Sequence, residues 1–199
     1  SIRSEFTIRL RILKSTMLPG TTRMLADRFQ APRWVFSPEF LTARAARLDF
    51  INAARIVIGM DRSDPEPAHL VKELFAFRFP TTPIHMMGWE EAELVKYMAN
   101  CFFSLKVSYL NEIFDVCQAL GADYEVVKAA WLADGRIGNS HHQIPGHDGD
   151  RGFGGTCFPK DLKAFVAWAG KNGLPVRTLS AAQEVNLSVR KKIDWEEPD

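Results

Sequence analysis

One cysteine stands apart from the other two. Residues 152–161 read GFGGTCFPKD, so Cys157 is crowded by Gly152, Gly154 and Gly155 and followed by a proline and an acid. Pro159 suits the first turn of a helix that begins just after Cys157. Backbone N–H groups at a helix start favour a thiolate, and a thiolate is a nucleophile. The chemistry this position offers is therefore covalent addition to an electrophile. The glycines would let a ligand approach the backbone closely. No Lys-Ser/Thr pair follows them, so the stretch is not a phosphate loop of the Walker type. The alternative is a buried structural cysteine beside a flexible turn.

Other residues could serve such a nucleophile. Lys96 and Asn100 are four apart and share one face of a helix, together with Phe103 and Val107. A lysine and an amide on a largely apolar face need partners or a polar cleft, unless the lysine reaches out to solvent. Glu39 follows Pro38 at the C-terminal end of a strand, and Ser15 and Thr16 end another. In open α/β sheets ligands bind beyond the carboxyl ends of the strands. Arg136 opens the stretch RIGN and could hold an anion or a sugar hydroxyl. His141, His142 and His147 lie near Asp148 and Asp150, but their spacing fits no standard metal site, so none is assigned.

The elements that must position these groups fall into two parts. Residues 7–16, RWVFSPEFL, ARIVIGM and TPIHMMG read as strands, and LPGTTRMLADRF and PAHLVKELFAFRF as helices. Thr21 or Thr22 is placed to cap the first helix. Strands alternating with helices predict a parallel α/β sheet over residues 1–88. With so few elements, one face and one edge of that sheet are expected to lie open. The Gly-x-Gly-x-x-Gly turn that opens a dinucleotide-binding domain is absent.

Residues 89–120 contain neither proline nor glycine. Leu94, Met98, Cys101, Leu105, Tyr109, Ile113, Val116 and Leu120 form one helical stripe, with Phe103, Val107 and Phe114 opposite. This predicts a long helix buried on both sides, a central spine or a core shared by two chains. Shorter helices follow over 124–134, 158–173 and 176–195, with a long loop between the first two. Residues 89–199 thus read as all-α, and a loop as long as residues 136–156 is expected to be functional or disordered.

Composition excludes several classes. The chain has 199 residues, 46% hydrophobic and 25% charged, as a globular protein does. Its net charge of +1 makes no electrostatic case for nucleic acid or an anionic membrane as partner. No apolar run approaches a membrane span, and the first residues lack a signal-peptide pattern. Three cysteines without paired spacing argue against a disulfide framework and fit a reducing cytoplasm. Cys101 and Cys117 fall in the helical pattern as small buried hydrophobes.

Taken in order, KSTMLPGTT, SPEFL, EAELVKYMANCFFSLKVSYLNEI, RIGN and GFGGTCFPKD resemble the UDP-glucose dehydrogenase family, within the UDP-glucose/GDP-mannose dehydrogenases. The likeness covers about residues 12–190, and the last motif is the most specific. It implies a partial Rossmann-like NAD-binding domain over 1–88, joined by a long central helix to a helical dimerisation and catalytic domain over 89–199. It implies oxidation of UDP-glucose to UDP-glucuronate by two hydride transfers, with a thiohemiacetal and then a thioester on Cys157. Lys96 would stabilise the developing oxyanion, and Asn100 and Asp161 would hold the oxyanion or an ordered water. Glu39 would activate water for thioester hydrolysis. Ser15, Thr16 and Lys160 would lie near the cofactor, and Thr16 would also order a catalytic water. Phe40, Leu41, Arg136, Arg151, Gly152, Phe153 and Gly154 would border the sugar nucleotide, and a homodimer would form through the long helix.

The chain departs from the family pattern in three ways. A second glutamate often found four residues after the first is Ala43 here. The first βαβ half with its glycine-rich turn, and the C-terminal domain that grips the uridine side, have no counterpart. The sequence is thus read as a fragment or an unusually short member. GDP-mannose is the alternative substrate, and a non-catalytic dimerising remnant the alternative function.

Overall fold

The computed structural model describes residues 10–29, 33–42 and 44–195. Four strands and seven helices follow in the order β1 (Leu10–Leu13), α1 (Thr21–Phe29), β2 (Arg33–Phe36), α2 (Ala46–Ile51), β3 (Ile56–Met60), α3 (Glu66–Arg78), β4 (Ile84–Gly88), α4 (Trp89–Leu120), α5 (Tyr124–Leu132), α6 (Phe158–Lys171) and α7 (Arg177–Val189). The α/β part precedes the all-α part, as the sequence patterns imply. The chain forms two compact units, Ser1–Tyr97 and Met98–Asp199. The division expected at residues 88 and 89 lies at the start of α4, whereas the units divide further along that helix. The first turns of α4 belong with the sheet because Trp89 and Ala92 are buried against Trp34, Phe36 and Val57.

In the first unit the strands lie in sequence order. β1 runs parallel to β2, with Leu10 opposite Arg33, and β3 runs parallel to β4, with Ile56 opposite Ile84. The middle pairing corrects the expectation of a sheet parallel throughout. β2 meets β3 through one antiparallel bridge, Phe36 with Gly59, so the sheet is mixed. A single bridging pair lacks the run of hydrogen bonds that fixes strand direction along a ladder. Gly59 is needed there, since an added Cβ would lie 2.8 Å from the Ala92 Cβ and 3.3 Å from that of Phe36.

Side chains alternate across the pleat and bury both faces. Val35, Ile56 and Ile58 pack with Ala68, Val71 and Phe79 on one side. Trp34, Phe36 and Val57 pack on the other, with Leu25 of α1 against them. Residues 7–9 of the expected first strand lie outside the described residues. Helix α2 carries no sequence signal, because its N-cap Ala45 makes no side-chain bond and none of its residues is buried.

Helix α4 covers the whole of the stretch read as one helix, and its residues from Met98 on belong to the second unit. It ends at Gly121, whose φ of +66° and the bond from Ala122 N to Cys117 O, 2.9 Å, make a Schellman close. Asp123 caps α5 by accepting from Glu125 N at 2.8 Å. Leu110, Cys117, Tyr124 and Ile144 form a core. The expectation that α4 is buried on both sides does not hold for this chain. Cys101 is buried, but Met98 is 72% and Leu120 76% exposed, and Phe102, Tyr109 and Val116 are exposed with them. Helix α7 stops before the expected residue 195 because Arg190 turns extended and buries its side chain. Among the described residues no helix is long and apolar enough to cross a membrane.

Candidate active site

Cys157 is the N-cap of α6, and its carbonyl accepts the first helical bond from Asp161 N at 2.9 Å. Its thiol is exposed and makes no cap bond to the helix; Thr156 Oγ1 lies 3.9 Å away. A buried structural cysteine is thereby excluded. Cys101 and Cys117 are buried, and burial, with the nearby Asp161 charge, pushes the Cys101 thiol up to about 12. Of the three thiols, only Cys157 can meet a ligand from solvent.

Asp161 is one turn beyond Cys157 on α6 and only 1% exposed. Asn100 Nδ2 donates to its Oδ2 at 2.6 Å, and Lys160 forms an ion pair with Oδ1. A buried carboxylate is costly unless hydrogen-bonded, and here α4 and α6 supply the partners. Sequence spacing placed Asn100 and Asp161 as separate candidates; the second unit makes them one pair.

The loop before Cys157 is ordered by side chains that sequence reasoning did not single out. Asn186 of α7 accepts from Phe153 N at 2.7 Å and donates to Phe153 O at 3.0 Å. Arg190 donates to Asp148 at 2.6 Å and to Arg151 O at 3.3 Å. Asp150 accepts from the amides of Lys191 and Lys192 at 3.0 and 2.9 Å. Burial alone would raise the Asp150 carboxyl, but those amides, that of Arg151 and the Arg190 charge hold it below its usual range. Lys106 donates to Gly138 O at 2.7 Å, and Tyr124 Oη to His142 O at 2.9 Å. His141 stacks on Phe103 with centroids 4.1 Å apart.

This bracing changes the reading of the glycines. An added Cβ at Gly152 would collide with Asn186, and one at Gly154 with Arg190. They admit the Asn186 and Arg190 side chains to the backbone. Gly155, at φ +71°, has open space at its Cβ position. Arg151 is also committed within the fold. Its guanidinium donates to Asn111 Oδ1 and O, both at 3.1 Å, and pairs with Asp115 at 2.8 Å. Arg136 is exposed and pairs with Asp134 at 2.5 Å.

In the first unit, Glu39 pairs with Lys14 at 3.3 Å just past the end of β2. Two cations approach the Phe40 ring, Arg55 4.1 Å and Lys96 Nζ 5.5 Å from its centroid. Lys96 itself is buried. Ser15 and Thr16 lie two and three residues past the end of β1, and Leu41 is partly buried beyond Phe40. Ala43 lies outside the described residues. The expected cap of α1 by its own threonines is corrected: the buried Glu93 carboxylate of α4 caps it, accepting from Gly20 N, Thr22 N and Thr22 Oγ1.

Residues 90–188 match the family model described as UDP-glucose/GDP-mannose dehydrogenase family, central domain. The chain belongs to this family. It is 37% identical over 154 residues to the UDP-glucose 6-dehydrogenase of Rhizobium meliloti, a match covering 76% of this chain and 34% of that protein. The solved UDP-glucose dehydrogenase of Pyrobaculum islandicum superposes with a TM-score of 0.78 at 35% identity, over 90% of this chain and 41% of that one. The GDP-mannose dehydrogenase of Pseudomonas aeruginosa superposes with a TM-score of 0.58 at 26% identity, over 90% of this chain and 42% of that one. The chain thus spans well under half the length of these dehydrogenases.

The bracing residues had a weak sequence signal. Asn186 lies in the last turn of α7 and Arg190 is the residue that ends it. What hid them is that their partners, Phe153 and Asp148, are backbone and loop groups more than thirty residues earlier.

Proposed function

We propose that the protein is an NAD-dependent nucleotide-sugar 6-dehydrogenase, or its catalytic core, converting UDP-glucose to UDP-glucuronate. The observation that carries this reading is the exposed Cys157 at the start of α6, one turn from the buried Asp161–Asn100 pair. A bound NAD supplies the hydride acceptor for each of the two oxidations. The Cys157 thiolate adds to the C6 aldehyde, giving a thiohemiacetal; loss of the second hydride leaves a thioester. Lys96 stabilises the oxyanion, and its burial strengthens that attraction. Asn100 and Asp161 hold the oxyanion or an ordered water. Glu39 takes a proton from water as it adds to the thioester, and the thiolate leaves. Thr16 orders that water, and Ser15 and Lys160 border the cofactor. Phe40, Leu41, Arg136 and the segment Arg151–Gly154 border the sugar nucleotide, the segment through its braced backbone. Three free cysteines favour a reducing cytoplasmic setting.

The residues present fit the hydride-transfer end of the cofactor only. Ser15 and Thr16 lie past the carboxyl end of β1, where ligands of such sheets bind. Among the described residues of the first unit, however, no glycine-rich turn leads into a helix, and the N-terminus of α1 is filled by Glu93. The isolated 199-residue chain is therefore expected to bind NAD more weakly than micromolar in titration calorimetry; micromolar binding would overturn this.

A homodimer through α4 is supported by the exposed row Met98, Phe102, Tyr109, Val116 and Leu120. An apolar row of this length on a helix calls for a covering surface. Phe102→Glu is expected to shift the light-scattering mass from dimer to monomer. A wild-type chain that is already monomeric would sink this part of the reading.

The function is tested with a panel of UDP- and GDP-sugars, following NADH formation by the intact protein. UDP-glucose is expected to turn over fastest. GDP-mannose as the better substrate would leave the chemistry standing and change the specificity; no turnover of any sugar would refute the reading.

A further inference from the structure

Glu93 is fully buried, at 0% exposure, yet it is a carboxylate. Its Oε1 accepts from Thr22 N at 2.8 Å and Thr22 Oγ1 at 2.6 Å, and its Oε2 accepts from Gly20 N at 2.6 Å. Both oxygens are thus taken up by the first turn of α1, at the positive end of that helix. A sealed carboxylate with three donors has no part in proton transfer to a substrate. Its effect must run through the backbone that it holds.

That backbone is the segment carrying Ser15 and Thr16. Its upstream end is fixed where Ser37 N donates to Leu13 O at 2.8 Å. Its downstream end is Gly20, at φ +91°, held by Glu93. The turn closes on itself through Thr21 N to Leu18 O at 3.0 Å. Glu93 stands three residues before Lys96 on α4, so one helical turn anchors both the segment and the lysine.

We infer that Glu93 is a positioning residue: it fixes the turn bearing Thr16 relative to the helix that carries Lys96. This rests on the dehydrogenase reading above for the roles of Thr16 and Lys96. Catalytic groups displaced by about 1 Å lose on the order of 100-fold in rate. A carboxylate clamp on two amides and a hydroxyl limits that displacement without touching substrate.

Glu93→Gln keeps the shape, but its amide offers one acceptor oxygen and turns an N–H donor toward a donor. In the intact protein it is expected to lower kcat roughly 100-fold with KM for the nucleotide sugar within about threefold. Hydrogen exchange at the Gly20 and Thr22 amides should speed up by about tenfold or more. Val71→Ala, on α3 against the other face of the sheet, is the control: at matched loss of Tm it should leave kcat near wild type. Thr22→Val removes only the hydroxyl bond and should cost about three- to tenfold in kcat, so it serves if Glu93→Gln does not fold. Wild-type kcat in Glu93→Gln, or in Thr22→Val where that variant serves, would overturn the inference. So would a fall in kcat no larger than that of Val71→Ala at equal Tm. The exchange measurement needs no turnover. If the wild-type protein oxidises no sugar, the dehydrogenase reading fails, and unchanged exchange in Glu93→Gln would separately refute the clamp.

Discussion

Cys157→Ala is expected to abolish uronate formation in the intact protein and to leave it folded. The sulfur is exposed, caps no backbone group and lies 3.9 Å from Thr156 Oγ1. Its loss should therefore change stability by no more than about 0.5 kcal/mol. The covalent route, by contrast, has no substitute. Cys101 is buried and held as the thiol, burial and the Asp161 charge pushing it up to about 12. Removing a nucleophile that acts in a concerted set costs on the order of 10⁴-fold or more. Chromatographic measurement of uronate, beside a thermal melt, checks both halves. Uronate produced at the normal rate by the alanine variant would end the assignment of Cys157.

Asn186→Ala should be the most damaging single change outside the reacting groups. Asn186 is 2% exposed and satisfies both the N–H and the C=O of Phe153, itself 5% exposed. Alanine leaves two buried backbone groups without partners, at about 1–3 kcal/mol each. It also opens a gap against Gly152, whose backbone rests on that side chain. The expected loss is about 3 kcal/mol, or roughly 6–12 °C in Tm. Activity should fall with it even well below Tm, because the segment from Phe153 leads directly into Cys157. Denaturant unfolding of the variant gives the number; a loss under about 1 kcal/mol would mean that the loop is held in register without Asn186.

The type and order of the elements were legible in the residues. Val/Ile-rich stretches at Ile56–Met60 and the unbroken helical pattern of Trp89–Leu120 depend on local periodicity, which a single chain displays directly. The six-residue α2 escaped because nothing local caps it or buries it. The antiparallel contact of Phe36 with Gly59 escaped because strand pairing is a non-local choice. The exposed row on α4 reads as core in sequence, because periodicity reports an apolar face and not what covers it.

The candidate site divides in the same way. Sequence alone determined which side chains could react: a cysteine before Phe-Pro-Lys-Asp, a lysine and an amide one helical turn apart, and a glutamate past a strand end. Tertiary structure decided which of them are paired, shielded or free. It made Asn100 and Asp161 a single buried pair, left Cys157 open, tied Arg151 to α4, and set Gly152 and Gly154 against Asn186 and Arg190. It also put Glu93 at the start of α1, a role no local pattern announces. The reason is physical. Reactivity follows from functional groups, which are written in the chain. Burial and hydrogen-bond partnership follow from residues tens of positions apart, and these meet only when the chain is folded.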